Sequence, residues 1–226
     1  MGIAGNQIEQ TVEEILQKIK KSMNGVIASQ MNKNGIIYQK NYGVTIPRLK
    51  EIAAQYESQH ELAQKLWEFP IRETKILATL LEPAEKFSYS MAQQWMEECT
   101  QIELIEQTCM NLFSRLSYAS QLCCEWISSE NDWKKIAGFI LSSRISNTLT
   151  SEEKNFITEK AFENSTTENY HLYKAISICL SRFCHTSKET TEEILQQIES
   201  FFDPLSTSQH YIKDSVEQEL NFLELL

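Results

Sequence analysis

Glycine and proline are scarce in this chain. Its 226 residues include six glycines and four prolines, and Gly138 is the sole glycine after Gly43. Proteins built from β-sheets normally use more glycine, because tight turns need backbone conformations that glycine adopts without strain. The composition therefore favours an all-α fold.

The sequence also lacks every common signal of membrane attachment. It has no signal peptide, no apolar run long enough to cross a bilayer, and no myristoylation pattern after Met1-Gly2. We therefore expect a cytoplasmic protein that makes no membrane contact.

Nothing in the cysteine and histidine pattern predicts a metal site. The six cysteines and four histidines form no CxxC pair and no spacing typical of metal ligands. No serine–histidine or cysteine–histidine nucleophile can be identified either. We expect reduced thiols packed as small hydrophobic side chains, with no metal and no cofactor.

Basic residues are outnumbered, with 21 lysines and arginines against 31 acids and a net charge of −10. Most of this excess lies in residues 189–226, where nine acids and one base give −8 and leave −2 for residues 1–188. Such a balance is unfavourable for a protein that must bind phosphates. A nearly neutral body can nonetheless present one basic face.

The region from Asn41 to Leu81 reads as three short helices. Thr45 can cap the first, and Pro47 suits its opening turn, where no backbone N–H is needed. Apolar residues recur at helical spacing through the second helix, and Pro70 ends it. Short amphipathic helices with tight joints are typical of a solenoid, in which each helical pair buries its apolar face on its neighbours.

Other helix starts are predicted by capping boxes, in which a hydroxyl and a carboxylate three residues later bind each other's backbone N–H groups. Apolar stripes predict a first helix that continues to Val26 and a last helix from Leu205 to Leu226. About a dozen helices, with roughly 35–40 residues per pair, fall in the HEAT range. We predict one all-α, HEAT-like helical-repeat solenoid over residues 1–226, with an acidic C-terminal capping segment at 189–226. The predicted boxes are Ser58 with Glu61, Thr100 with Glu103, Thr150 with Glu153, and Thr190 with Glu193.

The stretch after Asn41 also resembles a known family. The pattern Y-G-V-x-x-P-x-L-x-x-I-A begins at Tyr42, L-W follows at 66–67, and R-E-x-x-x-L-A begins at Arg72. Together these are similar to DNA alkylation repair proteins of the AlkD type, and the similarity continues more weakly to about Phe183. The resemblance implies a HEAT-like solenoid, and some members of that family are alkylpurine DNA glycosylases.

Cutting the bond between a sugar and a cationic purine builds positive charge on the sugar. A carboxylate stabilises that charge, and aromatic faces hold the base. The resemblance implies that a W-D-x-x-D run and a later tryptophan supply these groups. The run falls on residues 102–106 and the later tryptophan on Ile178. Glu106 is thus the candidate catalytic carboxylate or else a solvated helix residue, whereas Ile102 and Ile178 stand at diverged tryptophan positions.

Two further sets of residues bear on DNA binding. The family's arginine position falls on Lys135 or Ile136, and the register leaves both open. Basic residues of the central helices can form a positive stripe on the concave face, or they can pair with acids on solvated helix faces. The candidate nucleic-acid-binding residues are Arg115, Lys134, Lys135, Arg144, Lys174 and Arg182.

Core or half-buried packing is expected of Trp67, Trp95, Trp126 and Trp133.

Three functions remain open, and whether the protein is an enzyme is open with them. The favoured one is a diverged repair-family protein that binds double-stranded DNA, weakly and in a salt-sensitive way, with little or no base excision. The first alternative is a HEAT-like scaffold that binds a protein partner on its concave face. The second is an active glycosylase that uses Glu106 together with other aromatic residues, such as Tyr170 or Tyr173.

Overall fold

The computed structural model describes residues 2–222, with side chains from residue 7 onward. This part of the chain contains thirteen α-helices, two short 3₁₀ turns and no β-strand, and one isolated bridge joins Lys40 to Ile71. The all-α prediction is confirmed. Among the described residues, no helix combines the length and apolar character needed to cross a membrane.

The helices form two compact units, and the division falls between Leu116 and Ser117. Solenoids can divide in this way because each repeat contacts only its neighbours, so a single repeat domain over residues 1–226 stays a prediction. The first unit contains α1 (Gly2–Lys21), α2 (Gly25–Lys33), α3 (Ile46–Ala53), α4 (His60–Trp67), α5 (Arg72–Leu81), α6 (Tyr89–Glu98), α7 (Ile102–Asn111) and the 3₁₀ turns Ala84–Lys86 and Phe113–Arg115. The second contains α8 (Ala119–Ile127), α9 (Asp132–Arg144), α10 (Ser151–Glu163), α11 (Tyr170–Phe183), α12 (Lys188–Glu199) and α13 (Thr207–Phe222).

Helix α5 is the centre of the first unit. It packs against α3, α4 and α7, and eight of its ten residues are buried. Those eight include the charged residues Arg72 and Glu73. Buried charges must be paired or hydrogen-bonded, so this helix has to bring ionic partners into the core.

In the second unit α9 packs against α8 and α11, and α11 packs against α13. Gly138 lies where α8 and α9 meet. A Cβ atom at this position would lie 2.6 Å from the Ile127 Cγ1 atom and 3.1 Å from the Cys123 carbonyl oxygen. Glycine therefore permits the close approach of these two helices.

One of the four predicted capping boxes forms as expected. The Thr150 hydroxyl accepts from the Glu153 N–H at 3.2 Å, and Glu153 accepts from the Thr150 N–H at 2.9 Å. The box predicted at Ser58 is wrong, because the Gln59 N–H donates to the Leu81 carbonyl at 3.0 Å and α4 begins only at His60.

The boxes predicted at Thr100 and Thr190 are also wrong. Gln101 holds the cap position of α7 without a side-chain cap, and Glu103 is bound by Arg72 instead. At α12 the Ser187 hydroxyl accepts from the Thr190 N–H at 3.1 Å, so the helix begins before the threonine. Tertiary contacts have overridden the local pattern in the first case, and an earlier cap has done so in the second.

The long first helix is broken where its apolar stripe predicted continuity. Asn24 caps α2 by accepting from the Val26 and Ile27 N–H groups, and its own N–H donates to the Tyr42 carbonyl at 2.8 Å. Val26 is consequently 77% exposed rather than part of the stripe. The last predicted helix is present as α13, and residues 223–226 lie outside the described part.

Candidate nucleic-acid interface

The first unit is built around the fully buried guanidinium of Arg72. Its Nε and Nη2 atoms donate to the two carboxylate oxygens of Glu103 at 2.7 and 2.6 Å. Its Nη1 atom donates to the Val44 carbonyl at 2.8 Å and to Glu73 Oε1 at 3.1 Å. The Tyr38 hydroxyl donates to the same Glu103 carboxylate at 3.2 Å. This bidentate geometry is the strongest ion-pair arrangement available to arginine.

Glu73 ties the loop before α3 to α5. Its carboxylate accepts from the Tyr42 N–H at 3.1 Å and from the Val44 N–H at 3.2 Å. Between them Gly43 adopts a φ of +70°, and a Cβ atom there would lie 2.1 Å from the Asn24 carbonyl oxygen. The Y-G-V and R-E motifs are therefore two halves of one structural joint.

Charge and burial act together on the ionisable groups of this joint. Burial alone would lower the pKa of Arg72, but hydrogen bonds and charge from Glu103, with further help from Glu73, raise it. Burial raises the pKa of the Tyr38 phenol, and the Glu103 carboxylate raises it further. Arg72 thus stays charged and Tyr38 stays a hydrogen-bond donor at every physiological pH.

Helix α7 carries the residues that the resemblance predicts at the W-D-x-x-D positions. Glu103 is occupied by Arg72 and Tyr38, so its carboxylate is a structural group. Glu106, one turn later, is half-buried and makes no hydrogen bond or ion pair with any described residue. Ile102 is also half-buried. The helix therefore presents one unengaged carboxylate beside an aliphatic side chain.

The tryptophans of the first unit pack within it, as the sequence predicts. Trp67 and Trp95 are 4% and 1% exposed and stack with their centroids 3.8 Å apart. Lys75 Nζ lies 4.1 Å from the centre of the Trp67 ring, and both Lys75 and the Trp67 indole donate to Glu98. These aromatic faces are already covered, so they cannot serve as the missing family tryptophans.

In the second unit Ile178 lies on an exposed strip of α11. Tyr170, Lys174, Ile178 and Arg182 follow each other at intervals of four residues, which places them along one side of the helix. Ile178 is 44% exposed. The side chains of Lys174 and Arg182 form no ion pair or hydrogen bond with the described residues. We call these four residues the α11 strip.

An open groove of about 450 Å³ runs beside this strip, between α11 and α13. These helices are parallel, since the Ser181 hydroxyl contacts the Ser215 carbonyl at 3.5 Å and His185 pairs with Glu219 one turn further along. Ile178 and Arg182 line the groove from α11, and Tyr211 lines it from α13. Serines and the acidic Glu219 complete the lining, so the groove has a mixed aliphatic, aromatic, polar and charged surface.

Five aromatic rings meet at the N-terminal ends of α9, α11 and α13. We call Trp133, Tyr170, His171, Tyr173 and Tyr211 the aromatic cluster. Trp133 and His171 lie 6.0 Å apart with an angle of 29° between their rings. The centroids of the three tyrosines lie 5.1 to 6.3 Å apart, mostly edge to face. Tyr170 remains 48% exposed.

The remaining candidate cations occupy different environments. Lys135 Nζ donates to the Asn164 side chain at 3.1 Å, near the end of α10, whereas Arg144 is exposed and unpaired among the described residues. Lys134 is half-buried and has interactions of its own. Arg115 belongs to the first unit, where its Nη2 atom donates to the Glu82 carbonyl at 3.0 Å. Within the second unit, only Lys174 and Arg182 of these cations share the α11 strip.

Sequence reasoning missed the roles of Arg72 and the aromatic cluster. The motif that contains Arg72 signalled the family, but its partners lie 28 and 31 residues away and no local pattern connects them. Tyr170 and Tyr173 were named only as possible aromatic residues of an active glycosylase, and their packing against Tyr211 and His171 was not predicted. Both lie in the first turn of α11, directly after the Asn169 cap, and no local pattern shows that the neighbouring helices leave Tyr170 exposed.

In the described part of the chain, no group of three or more histidine, cysteine or acidic side chains is arranged to hold a metal ion. All six cysteines are free thiols, and five of them are buried, as expected for small core residues. Burial raises the pKa of the Cys99 and Cys123 thiols to about 12.

The comparisons with known proteins agree with this architecture. A family model described as DNA alkylation repair enzyme matches residues 15–211. Among solved structures, the chain is similar to a protein from a family related to the HEAT-like repeat DNA glycosylases with affinity for branched DNA structures. The TM-score is 0.76 and the identity 15%, over 91% of this chain and 94% of that one. The curated proteins contain no significant match. The HEAT-like fold is thereby confirmed, and the chain belongs to the DNA alkylation repair enzyme family.

Proposed function

We propose that this protein binds DNA and has little or no base-excision activity. The observation that carries the proposal is the composition of the α11 strip. Unpaired cations lie one turn before and one turn after the exposed aliphatic side chain of Ile178, where the resemblance predicts a tryptophan. Such a strip can hold phosphates but offers no aromatic face to a cationic base at this position.

Excision requires stabilisation of positive charge, and the diverged positions supply little of it. Isoleucine at 102 and 178 has no π system to interact with a cationic purine. The first acidic residue of the run, Glu103, is bound to Arg72. Glu106 alone is left to stabilise charge on the sugar, and a single carboxylate without the surrounding aromatic residues is a weak substitute for the complete site.

Charge differs between helices of the second unit, and the contrast between α9 with α11 and α10 with α12 supports DNA binding by an acidic protein, although α13 beside α11 carries one basic and three acidic residues. Helices α9 and α11 together carry five basic residues and one acidic residue. Helices α10 and α12 carry three basic residues and eight acidic ones. Phosphates are attracted to local positive potential rather than to net charge, so the interface belongs on α9 and α11.

The DNA substrate we favour is branched. Affinity for branched DNA structures is what characterises the family of the similar solved structure. With few unpaired cations on the α11 strip, affinity for plain duplex should be weak and sensitive to salt. A junction offers more phosphates within reach of one small basic surface.

Fluorescence anisotropy with a labelled four-way junction and a labelled duplex tests the proposal at several salt concentrations. The parent should bind in low salt, with preference for the junction. Lys174→Glu combined with Arg182→Glu should abolish this binding. Lys188→Glu combined with Lys154→Glu changes the net charge equally on α12 and α10, and should have a much smaller effect.

Two results would contradict the proposal. If the parent binds neither DNA in low salt, the protein does not act on DNA through this surface. If both charge-reversed pairs weaken binding equally, the α11 strip is not the interface.

The acidic helices favour one alternative, a protein-interaction scaffold. Glu159, Glu163 and Glu193 line an open groove between α10 and α12. A basic protein segment would complement that groove. If the parent protein binds neither DNA in the experiment above, this scaffold becomes the better explanation.

A further inference from the structure

The aromatic cluster lies at one end of the α11 strip and has no part in the family positions considered above. We propose that it binds an unpaired base of a single-stranded DNA segment. This inference rests on the proposed DNA-binding function and specifies which part of a branched substrate the second unit holds.

The exposure of Tyr170 sets it apart from an ordinary packed ring. Tyr170 is 48% exposed, although it contacts Tyr173 and Tyr211 at centroid distances of 5.4 and 6.3 Å. Its hydroxyl makes no hydrogen bond within the described residues. A ring that is fixed by its neighbours yet open to solvent loses little conformational freedom when a base stacks on it.

The close packing of the cluster limits what can bind. The three tyrosine centroids lie at distances typical of rings in direct contact, so no cation can be enclosed between them. The ligand must therefore stack on the outer surface. Flat nucleobases do this regardless of their sequence, because every base has a π face.

Nearby charges give the bound strand a direction. Asp132 adjoins Trp133, and Glu168 and Asp214 flank the tyrosines in sequence. These acids disfavour a phosphate at the cluster itself. Lys174 lies one turn along α11, and Arg182 lies about 12 Å beyond it at the usual helical rise. The base should occupy the aromatic end and the phosphates should follow the two cations.

Trp133 provides a direct probe. The other three tryptophans are at most 4% exposed, whereas Trp133 is only half-buried and contacts His171 of the cluster. Titration with oligothymidine should quench its fluorescence, and Trp133→Phe should remove the quenching. Because oligothymidine has neither base pairs nor damaged bases, quenching by it would show that an unpaired, unmodified base is enough for binding.

The affinity experiment compares a fork that has one unpaired arm with a fully paired duplex. Tyr170→Ala should weaken fork binding about tenfold, in line with the stacking of one base on one ring. Tyr170→Phe keeps the ring and should bind the fork like the parent. Phe202→Ala removes an aromatic residue that is 89% exposed outside the cluster, and it should change nothing. Duplex binding should be unchanged in Tyr170→Phe and Phe202→Ala, and Tyr170→Ala should weaken it much less than fork binding, because a duplex offers no unpaired base to stack on the ring.

Base binding by the aromatic cluster and DNA binding by the protein can fail independently in these experiments. Suppose that the parent binds the junction and the duplex. If Tyr170→Ala then has no effect on fork binding, or if oligothymidine does not quench Trp133, the inference is overturned and DNA binding stays in place. Equal losses for Tyr170→Ala and Phe202→Ala would also overturn it. Absence of all DNA binding by the parent would refute the proposed function and this inference together.

Discussion

Arg72 and Glu103 form a bidentate ion pair that joins α5 to α7 inside the first unit. The two contacts measure 2.7 and 2.6 Å, and the Arg72 side chain is fully buried. Glu73 and the Val44 carbonyl occupy the remaining Nη1 contacts. One guanidinium therefore connects the loop before α3, α5 and α7, so the position of α7 depends on a residue outside it.

Replacing Arg72 by methionine should destabilise the protein strongly. The change leaves the buried Glu73 carboxylate and the mostly buried Glu103 carboxylate without their cation, and breaking such a pair typically costs about 3–5 kcal/mol. Urea unfolding followed by circular dichroism measures the loss. Arg48→Met is the matched control, because Arg48 pairs with Glu51 at the surface and should cost about 1 kcal/mol or less. Equal losses in the two variants would show that the Arg72 network does not stabilise the fold.

The sequence predicts the helical class and most helices because these depend on local spacing. Ile176, Leu180 and Phe183 of α11 are buried, as their spacing predicts. The same spacing does not reveal that Tyr170, six residues before Ile176, remains exposed. Burial at the end of a helix depends on where neighbouring helices stop, and a local pattern contains no information on that.

The site was predicted less completely, for a related physical reason. A capping box assigned Glu103 to its own helix terminus, but Arg72 provides a stronger, charge-assisted partner from 31 residues away. Ile102, Glu106 and Ile178 were identified only through the family resemblance, and their roles stay predictions. The positive stripe was also only a prediction, and Lys135 in fact contacts Asn164.

Gly43 and Gly35 both have a positive φ and offer a matched pair of substitutions. Gly35→Ala meets no atom within 4 Å and should cost about 1–2 kcal/mol from backbone strain. Gly43→Ala adds a clash with the Asn24 backbone and should cost about 3 kcal/mol or more. Thermal and urea unfolding of both variants provide the comparison. Similar losses would mean that the chain relaxes around Asn24.

The thiols should react slowly with an aromatic disulfide reagent at pH 8. Thiolates are the reactive species, and burial raises the pKa of Cys184 to about 11 and also raises that of Cys124. Only half-buried Cys124 should react while the protein is folded, and its rate should rise with pH as more thiolate forms. Cys124→Ser should remove this reaction. Rapid labelling of several thiols in the native protein would contradict the described burial.

Release of methylated purines from alkylated DNA should be negligible. We expect this because Ile102 and Ile178 present no aromatic face to a cationic base, while Glu106 alone stabilises little charge. Chromatography of the released bases measures it, with Ile102→Trp, Ile178→Trp and Glu106→Asp combined as the variant that restores the family residues. Robust release by the parent would refute the proposal, and its loss in Glu106→Gln would identify an active glycosylase that uses this carboxylate.

The salt dependence of duplex binding should show separate contributions from Lys174 and Arg182, the two cations of the α11 strip. Each lysine or arginine that neutralises a phosphate contributes about 0.9 to the slope of log affinity against log salt. Lys174→Gln and Arg182→Gln should each reduce the slope by about that amount, and the double variant by about twice as much. Lys188→Gln, on acidic α12, should leave the slope unchanged. A slope that stays constant in the double variant, with weaker binding at every salt concentration, would mean that these residues affect folding or hydration rather than phosphate contacts.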